Sequence, residues 1–170
     1  MAAGVSRAEL EDALEHYQQV VRTASANGDW TLFAELFTDD ADYFEHVYGR
    51  FAGRERIAEW AVRTMTTFPG NAMVKFPVRW AVFDPDRAWI VCEIRNLMRD
   101  PGDGSVHETS NLTILHYAGA SRFSYEEDVY NPMNFAAMVA EWAAVADRHG
   151  TLDAEGRAWL RRLAAPPTSA

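Results

Sequence analysis

Residues Leu36 to Gly53 read LFTDDADYFEHVYGRFAG, and they carry the chain out of a short helix and along an apolar strand that holds two titratable groups, Glu45 and His46. From Ala41 to Val47 apolar residues alternate imperfectly, the pattern of a strand with one buried face. Successive strand side chains point to opposite faces, so Ala41, Tyr43 and Glu45 share one side and Asp42, Phe44 and His46 the other. One set must meet the interior. Facing a pocket, Glu45 is a general base toward a carbon acid; facing solvent, it is a rim carboxylate. His46, if it turns inward instead, either shuttles a proton or holds a structural hydrogen bond.

Upstream of this stretch, Ser6 and Glu9 form a capping-box pattern. Leu10, Ala13, Leu14, Tyr17, Val20, Val21 and Ala24 then recur at helical spacing. Asn27-Gly28 ends that helix, and Asp29 caps a second, shorter one with Trp30, Phe33, Leu36 and Phe37 on its apolar side. Downstream, Gly49 and Gly53 bracket a loop into a third helix, whose Ile57, Trp60, Ala61, Thr64 and Met65 share a side and which Pro69-Gly70 stops.

Beyond Gly70 the period changes to two. Met73–Phe83, Ala88–Met98, Val106–Tyr117 and Ser121–Tyr130 read as four strands joined by Asp84-Pro85-Asp86, Pro101-Gly102-Asp103-Gly104 and Ala118-Gly119-Ala120. Short turns between long strands imply an antiparallel, curled sheet. Asn131-Pro132 starts a further helix with Phe135, Met138, Val139, Trp142, Val145 and Ala146 as its stripe, a face suited to helix or dimer packing. A last helix runs from Asp153 to Leu163, docked by Trp159, Leu160 and Leu163, before a flexible tail over residues 165–170. The expected organisation is one α+β domain over residues 1–150, followed by a short helix and tail over residues 151–170. A sheet curling around the early helices forms a cone with a pocket at its open end.

Composition narrows the partners. A length of 170 residues, 48% of them apolar, supports one sizeable core. Six Trp, six Tyr and nine Phe leave aromatic surface for a ligand cavity or a subunit interface. The net charge of −9 disfavours a phosphate backbone as partner, with Arg157, Arg161 and Arg162 as a short basic patch. The lone Cys92 permits no intrachain disulfide, and the chain reads as cytoplasmic. No apolar run approaches the about 18 residues of a membrane span, and the start MAAGVSRAELEDALEH has no leader pattern, so neither anchoring nor export is expected.

No Walker loop, dinucleotide fingerprint, HExxH or cysteine cluster occurs, so no cofactor is expected. His46, His107 and His116 lie near acids, but none of their spacings is that of a metal ligand set, and no metal is expected either. Tyr17 on the first helix and Tyr43 near Glu45 each offer a hydroxyl to a developing oxyanion. Asn96, Asn111 and Thr113 are uncharged polar groups in apolar strands, suited to orienting a ligand or to a sheet surface. Trp60, on the apolar side of the third helix, and His46 are further candidate ligand contacts. In the last strand, parity sets Glu126 with Asp128 against Glu127 with Val129. Asp128 is the candidate for the cavity, orienting a partner such as His116.

The helix order, together with Asn27-Gly28-Asp29-Trp30, Leu36-Phe37-Thr38-Asp39-Asp40-Ala41, Gly53-Arg54-Glu55-Arg56-Ile57 and Glu127-Asp128-Val129-Tyr130-Asn131-Pro132, resembles the nuclear transport factor 2-like (NTF2-like) superfamily. The likeness spans about Leu10 to Ala146 and is nearest to the SnoaL-like polyketide cyclase and steroid delta-isomerase branch. It implies a cone-shaped curved sheet, antiparallel or mixed, wrapped around N-terminal helices, the cystatin-like fold. Laid on the steroid isomerases, Glu45 falls where those enzymes keep a proton-transferring Asp. Their oxyanion-hole Tyr falls near Val21, one turn after Tyr17, and their oxyanion Asp at about Thr113. Asp128 resembles the acid-base Asp of SnoaL-like cyclases, with His116 resembling a histidine of the preceding strand in register with it. Scytalone-type dehydratases use His and Asp around an aromatic pocket. Arg95 between acid-bearing strands is similar to the Asp-Arg-Asp arrangement of limonene-type epoxide hydrolases.

These readings converge on a homodimeric small-molecule enzyme that moves a proton on an apolar, oxygenated ring compound such as a polyketide or steroid, by isomerisation, cyclisation or dehydration. Glu45 abstracts, Tyr17 or Tyr43 stabilises the enolate, and His116 with Asp128 orients or protonates. A noncatalytic binding or dimerisation module and a structural oxygenase subunit remain open alternatives.

Overall fold

The computed structural model describes residues 4–164. Helix α1 spans Arg7–Asn27, with the Ser6 hydroxyl accepting from the Glu9 amide at 3.1 Å and Gly28 closing it in the left-handed region at φ 70°. Its buried stripe is Leu10, Ala13, Leu14, Tyr17, Val21 and Ala24. The second helix, Trp30–Leu36, is a 3-10 helix rather than an α-helix. Three residues per turn set Trp30, Phe33 and Leu36 on one edge, and all three are buried.

Strand β1 runs from Phe37 to Glu45, starting earlier and stopping sooner than the Ala41–Val47 pattern suggests. Residues 46–48 form a turn, and β2, Gly49–Ala52, comes back antiparallel with Glu45 opposite Gly49 and Asp42 opposite Ala52. The expected Gly49–Gly53 loop is therefore mostly strand. Gly53, at φ 89°, turns the chain into α2, Arg54–Thr66, while its amide bonds the Ala41 carbonyl at 2.7 Å.

The expected strand Met73–Phe83 is broken in two, β3 (Met73–Lys75) and β4 (Val78–Asp84). Pro77 lacks an amide, and Gln18 of α1 bridges the break, donating to the Phe76 carbonyl and accepting from the Val78 amide, each at 3.1 Å. Three long strands follow: β5 (Trp89–Met98), β6 (Glu108–Gly119) and β7 (Arg122–Val129). The sheet order is β2-β1-β7-β6-β5-β3, with β4 also on β5. Among these pairings only β1 with β7 is parallel, so the sheet is mixed. Between β6 and β7 the register steps from His116 opposite Tyr125 to Tyr117 opposite Phe123, leaving Ser124 as an inserted bulge.

The curved sheet closes on α1, the 3-10 helix and α2 around one core that includes Leu10, Phe33, Leu36, Ile57, Ile90 and Leu115. A second core joins α3 (Pro132–Arg148) and α4 (Ala154–Ala164) to the end of β5 through Ala72, Met98, Val139, Trp142 and Leu152. Asn131 caps α3, accepting from the Met133 amide at 2.9 Å. The α3 stripe thus packs within the chain. Trp159 and Leu160 dock α4, whereas Leu163, expected to join them, is exposed. The expected flexible tail over residues 165–170 lies outside the described residues. Among those described, no helix is long and apolar enough to cross a membrane.

Candidate active site

Two adjoining cavities open here, an outer chamber between the sheet, α2, α3 and α4 and a recess between the sheet, α1, the 3-10 helix and α2. The outer chamber has a volume of about 460 Å³, and a recess of about 120 Å³ continues inward from it. Trp60, Met65, Phe76, Asn96, Asn111 and Asp128 line both and mark their boundary. Phe68, Phe135, Val139 and Trp159 give the chamber its apolar outer wall. Its combination of apolar walls and a few converging polar groups is that of a small-molecule site.

Asp128 sits at the boundary because β7 parity turns Glu126 and Asp128 to the inner face together. Its Oδ1 accepts from Asn111 Nδ2 at 2.7 Å and from Thr113 Oγ1 at 2.6 Å, and its Oδ2 accepts from the Tyr43 hydroxyl. Asn96 Nδ2 donates to Asn111 Oδ1 at 2.8 Å, which fixes the amide orientation that serves Asp128. Burial raises the Asp128 carboxyl above its ordinary value, opposed by the Thr113 and Tyr43 hydrogen bonds and assisted by the negative charge of Glu45. Among the described residues no Lys or Arg forms an ion pair with Asp128. Neutral donors alone hold it, leaving it free to exchange a proton.

Glu126 lies deeper, lining the recess only. Tyr17 donates to its Oε1 at 2.8 Å, while its Oε2 is buried without a partner among the described residues. Burial, then the charge of Asp128, push this carboxyl well above its ordinary value, opposed by the Tyr17 hydrogen bond. Desolvation first, and the neighbouring acids second, also raise the Tyr17 and Tyr43 phenols, which stay protonated donors.

Glu45, on the predicted inner parity with Ala41 and Tyr43, is buried at the chamber wall. Its Oε2 accepts from the Val47 amide at 2.8 Å and the Tyr48 amide at 2.6 Å, and its Oε1 from the Tyr130 hydroxyl. The turn that ends β1 supplies those amides, so the hairpin itself positions the carboxylate. Burial, followed by the Glu45 hydrogen bond and charge, raises the Tyr130 phenol.

The structure brings Glu45, Tyr17, Tyr43, Asp128, Trp60, Asn96, Asn111 and Thr113 to one or other cavity. His116 and His46 lie elsewhere. His116 faces the outer side of the sheet, its ring between Trp89 at 4.2 Å and Tyr125 at 4.5 Å, and burial lowers its affinity for a proton. Thr113, not His116, stands opposite Asp128, the register that Gly119 opposite Arg122 sets at the turn, which puts His116 opposite Tyr125. His46 bonds Glu127 at 2.8 Å on that same outer side. Arg95 pairs with Glu108 at 3.1 Å and lines neither cavity, so an Asp-Arg-Asp arrangement is absent there. Cys92 is buried in the core, and burial pushes its thiol up, away from reactivity. Among the described residues no group of three His, Cys, Asp or Glu side chains is placed to hold a metal ion.

Sequence reasoning reached Glu126 only as the parity partner of Asp128, and missed Tyr130. The parity itself was the signal for Glu126: two acids two residues apart on a strand must share a face. Tyr130 carried the same signal, for it ends the expected strand Ser121–Tyr130 on the parity of Glu126 and Asp128.

A curved mixed sheet over N-terminal helices, with a polar-floored apolar chamber at its open end, is the NTF2-like fold. A profile of the SnoaL-like domain matches residues 6–128, and the chain belongs to that family. Among solved structures, a protein of ketosteroid isomerase-like fold from Catenulispora acidiphila is similar at TM-score 0.58 and 20% identity, covering 72% of this chain and 90% of that one. An LEH-like epoxide hydrolase from M. tuberculosis is similar at TM-score 0.58 and 12% identity, covering 81% and 92%. A candidate polyketide cyclase from Xanthomonas campestris pv. campestris is similar at TM-score 0.53 and 14% identity, covering 76% and 98%. At these identities the likeness shows the fold. No curated protein matches the chain.

Proposed function

We propose that this chain transfers a proton on an apolar, oxygenated ring compound, with Asp128 as the acid-base group. The observation that carries the reading is the Asp128 carboxyl at the boundary of the two cavities, bound by neutral donors and raised by burial toward neutral pH. A base works best when its proton affinity approaches that of the medium. Asp128 takes the proton from a carbon beside a carbonyl, and the C–H electron pair moves onto the carbonyl oxygen as an enolate. Return of the proton at another carbon gives isomerisation, attack of the enolate carbon on a second carbonyl gives cyclisation, and loss of a β-hydroxyl gives dehydration.

Glu45 and Tyr130 act at the chamber wall. The Glu45 charge raises the proton affinity of Asp128, and the Tyr43 hydroxyl tempers it. Family membership, and the names of the neighbours as a cyclase and an epoxide hydrolase, support chemistry on small molecules. Exposed Trp80, Val82, Trp89 and Leu112 share the outer sheet face and support a homodimer through it.

The test follows hydrogen–deuterium exchange beside the carbonyl of a panel of cyclic ketones in heavy water by proton NMR. The wild-type protein accelerates exchange, and Asp128→Asn loses at least about 100-fold of that acceleration. Full exchange in the Asn variant refutes the assignment.

A further inference from the structure

A third cavity, a groove of about 440 Å³, lies between α1 and the β3–β4 connection, with Gln18, Ser25, Ala26 and Lys75 among its walls. It is nearly as large as the outer chamber. Val21 and Phe76 line this groove and the inner recess alike, so these two residues stand where the two spaces meet. Among the described residues Phe76 alone lines groove, recess and chamber.

The two residues are held differently. Val21 is a buried β-branched residue inside α1, where such a side chain keeps one rotamer. Phe76 is half-buried and sits between β3 and β4, outside both strands. The backbone around it is pinned. Its own carbonyl accepts from Gln18 Nε2 at 3.1 Å, the Val74 carbonyl from the Ser25 hydroxyl at 2.9 Å, and the Pro77 carbonyl from the Arg95 amide at 3.0 Å. The Phe76 ring lies edge-on to Trp30, itself a wall of the recess, at 5.7 Å between ring centres. A ring at the recess on a fixed backbone can turn about its own two torsions without opening the fold.

We propose that the groove is a second opening of the recess, that the Phe76 ring is its gate, and that water and small uncharged solutes pass there. The recess floor of Thr113, Glu126 and Asp128 is polar, and a polar cavity of about 120 Å³ has room for water. An apolar ligand filling the chamber stoppers the way out on that side. The groove then releases the water that the ligand displaces. A charged solute is turned back, because Val21 and Phe76 offer nothing to replace its hydration. The inference concerns access and holds whether or not Asp128 moves a proton.

The test places a single thiol in the recess of the full chain. Ile94 lines the recess but neither the chamber nor the groove, so Ile94→Cys is made in a Cys92→Ala background. Labelling by methyl methanethiosulfonate, a small uncharged reagent, is followed by mass spectrometry in proteins whose near-ultraviolet circular dichroism matches the wild type. A gate closed about nine-tenths of the time or more admits reagent in proportion to its open fraction, so Phe76→Ala is expected to speed labelling at least about tenfold. Phe76→Leu, the milder change, gives a smaller gain. Ala26→Trp fills the groove from an exposed position of α1 and cancels both gains, whereas Ala136→Trp, at an exposed position on the chamber wall, leaves them. Labelling that is equally fast with Phe76, Leu or Ala at the gate overturns the proposal. So does a gain that Ala136→Trp cancels and Ala26→Trp leaves intact, for the reagent then enters through the chamber.

Discussion

Tyr43 donates its hydroxyl hydrogen to Asp128 across the parallel pairing of β1 with β7, although the residue directly opposite Tyr43 is Glu126. The bond is diagonal, and it ties the proposed acid-base group to the strand that also carries Glu45. It favours the charged form of Asp128, against the burial that opposes it. In Tyr43→Phe the Asp128 carboxyl rises further. The acid limb of the rate profile therefore moves to higher pH, because the base must be unprotonated to act. Chemical unfolding should also show a loss of about 1–3 kcal/mol for the missing bond to a charged acceptor. A pH–rate profile superimposable on the wild type contradicts this.

The Glu126 carboxyl binds its proton more tightly folded than unfolded. Its contribution to stability is fully present below the ordinary value of 4.5 and is lost as pH rises through the folded value. Glu126→Gln has no such titration. Urea unfolding between pH about 5 and about 8 should find the wild type losing stability relative to the Gln variant as pH increases. Parallel curves for the two proteins would show that Glu126 is not perturbed.

Gly70 lies under the end of α2 beside the chamber wall. A Cβ there meets the Thr64 carbonyl oxygen at 2.0 Å and the Met65 Cα at 3.2 Å, both backbone atoms that cannot rotate away. Gly70→Ala is expected to cost about 2 kcal/mol or more and to lower Tm by roughly 5 °C or more. Differential scanning calorimetry reads this directly, and an unchanged Tm would mean that the helix end yields.

Phe135 lines the chamber and packs against Tyr130 at 4.6 Å between ring centres. As an apolar wall side chain it is expected to add binding that is equal in ground and transition states. Phe135→Ala should raise KM for a ring ketone by about tenfold with kcat nearly unchanged. A fall in kcat instead would place Phe135 closer to the reacting atoms.

Parts of this arrangement were legible in the sequence because they depend on local periodicity. Ala41, Tyr43 and Glu45 face inward as their spacing requires, and Glu126 and Asp128 share a face for the same reason. Relations between strands were not legible. His116 seemed matched to Asp128 because the sequence does not say where the turn closes, and the observed closure, with Gly119 opposite Arg122, sets Thr113 there instead. The polar floor expected at Thr113 is present, but its carboxylate comes from the neighbouring strand. β2 escaped notice because four residues between two glycines look like a loop, and the break at Pro77 was hidden inside a continuous apolar run. The stripe on α3 announced burial without naming what it would cover.

The acids of the floor fall within residues 6–128, the portion shared with the SnoaL-like family, as does Phe68 of the outer wall, whereas Phe135, Val139 and Trp159 come after it. The proposed reacting groups and most of that outer wall are thereby written in separate stretches of the gene. An exchange of the two C-terminal helices between paralogues could redirect the protein to a ligand of another shape while its reacting groups are inherited intact.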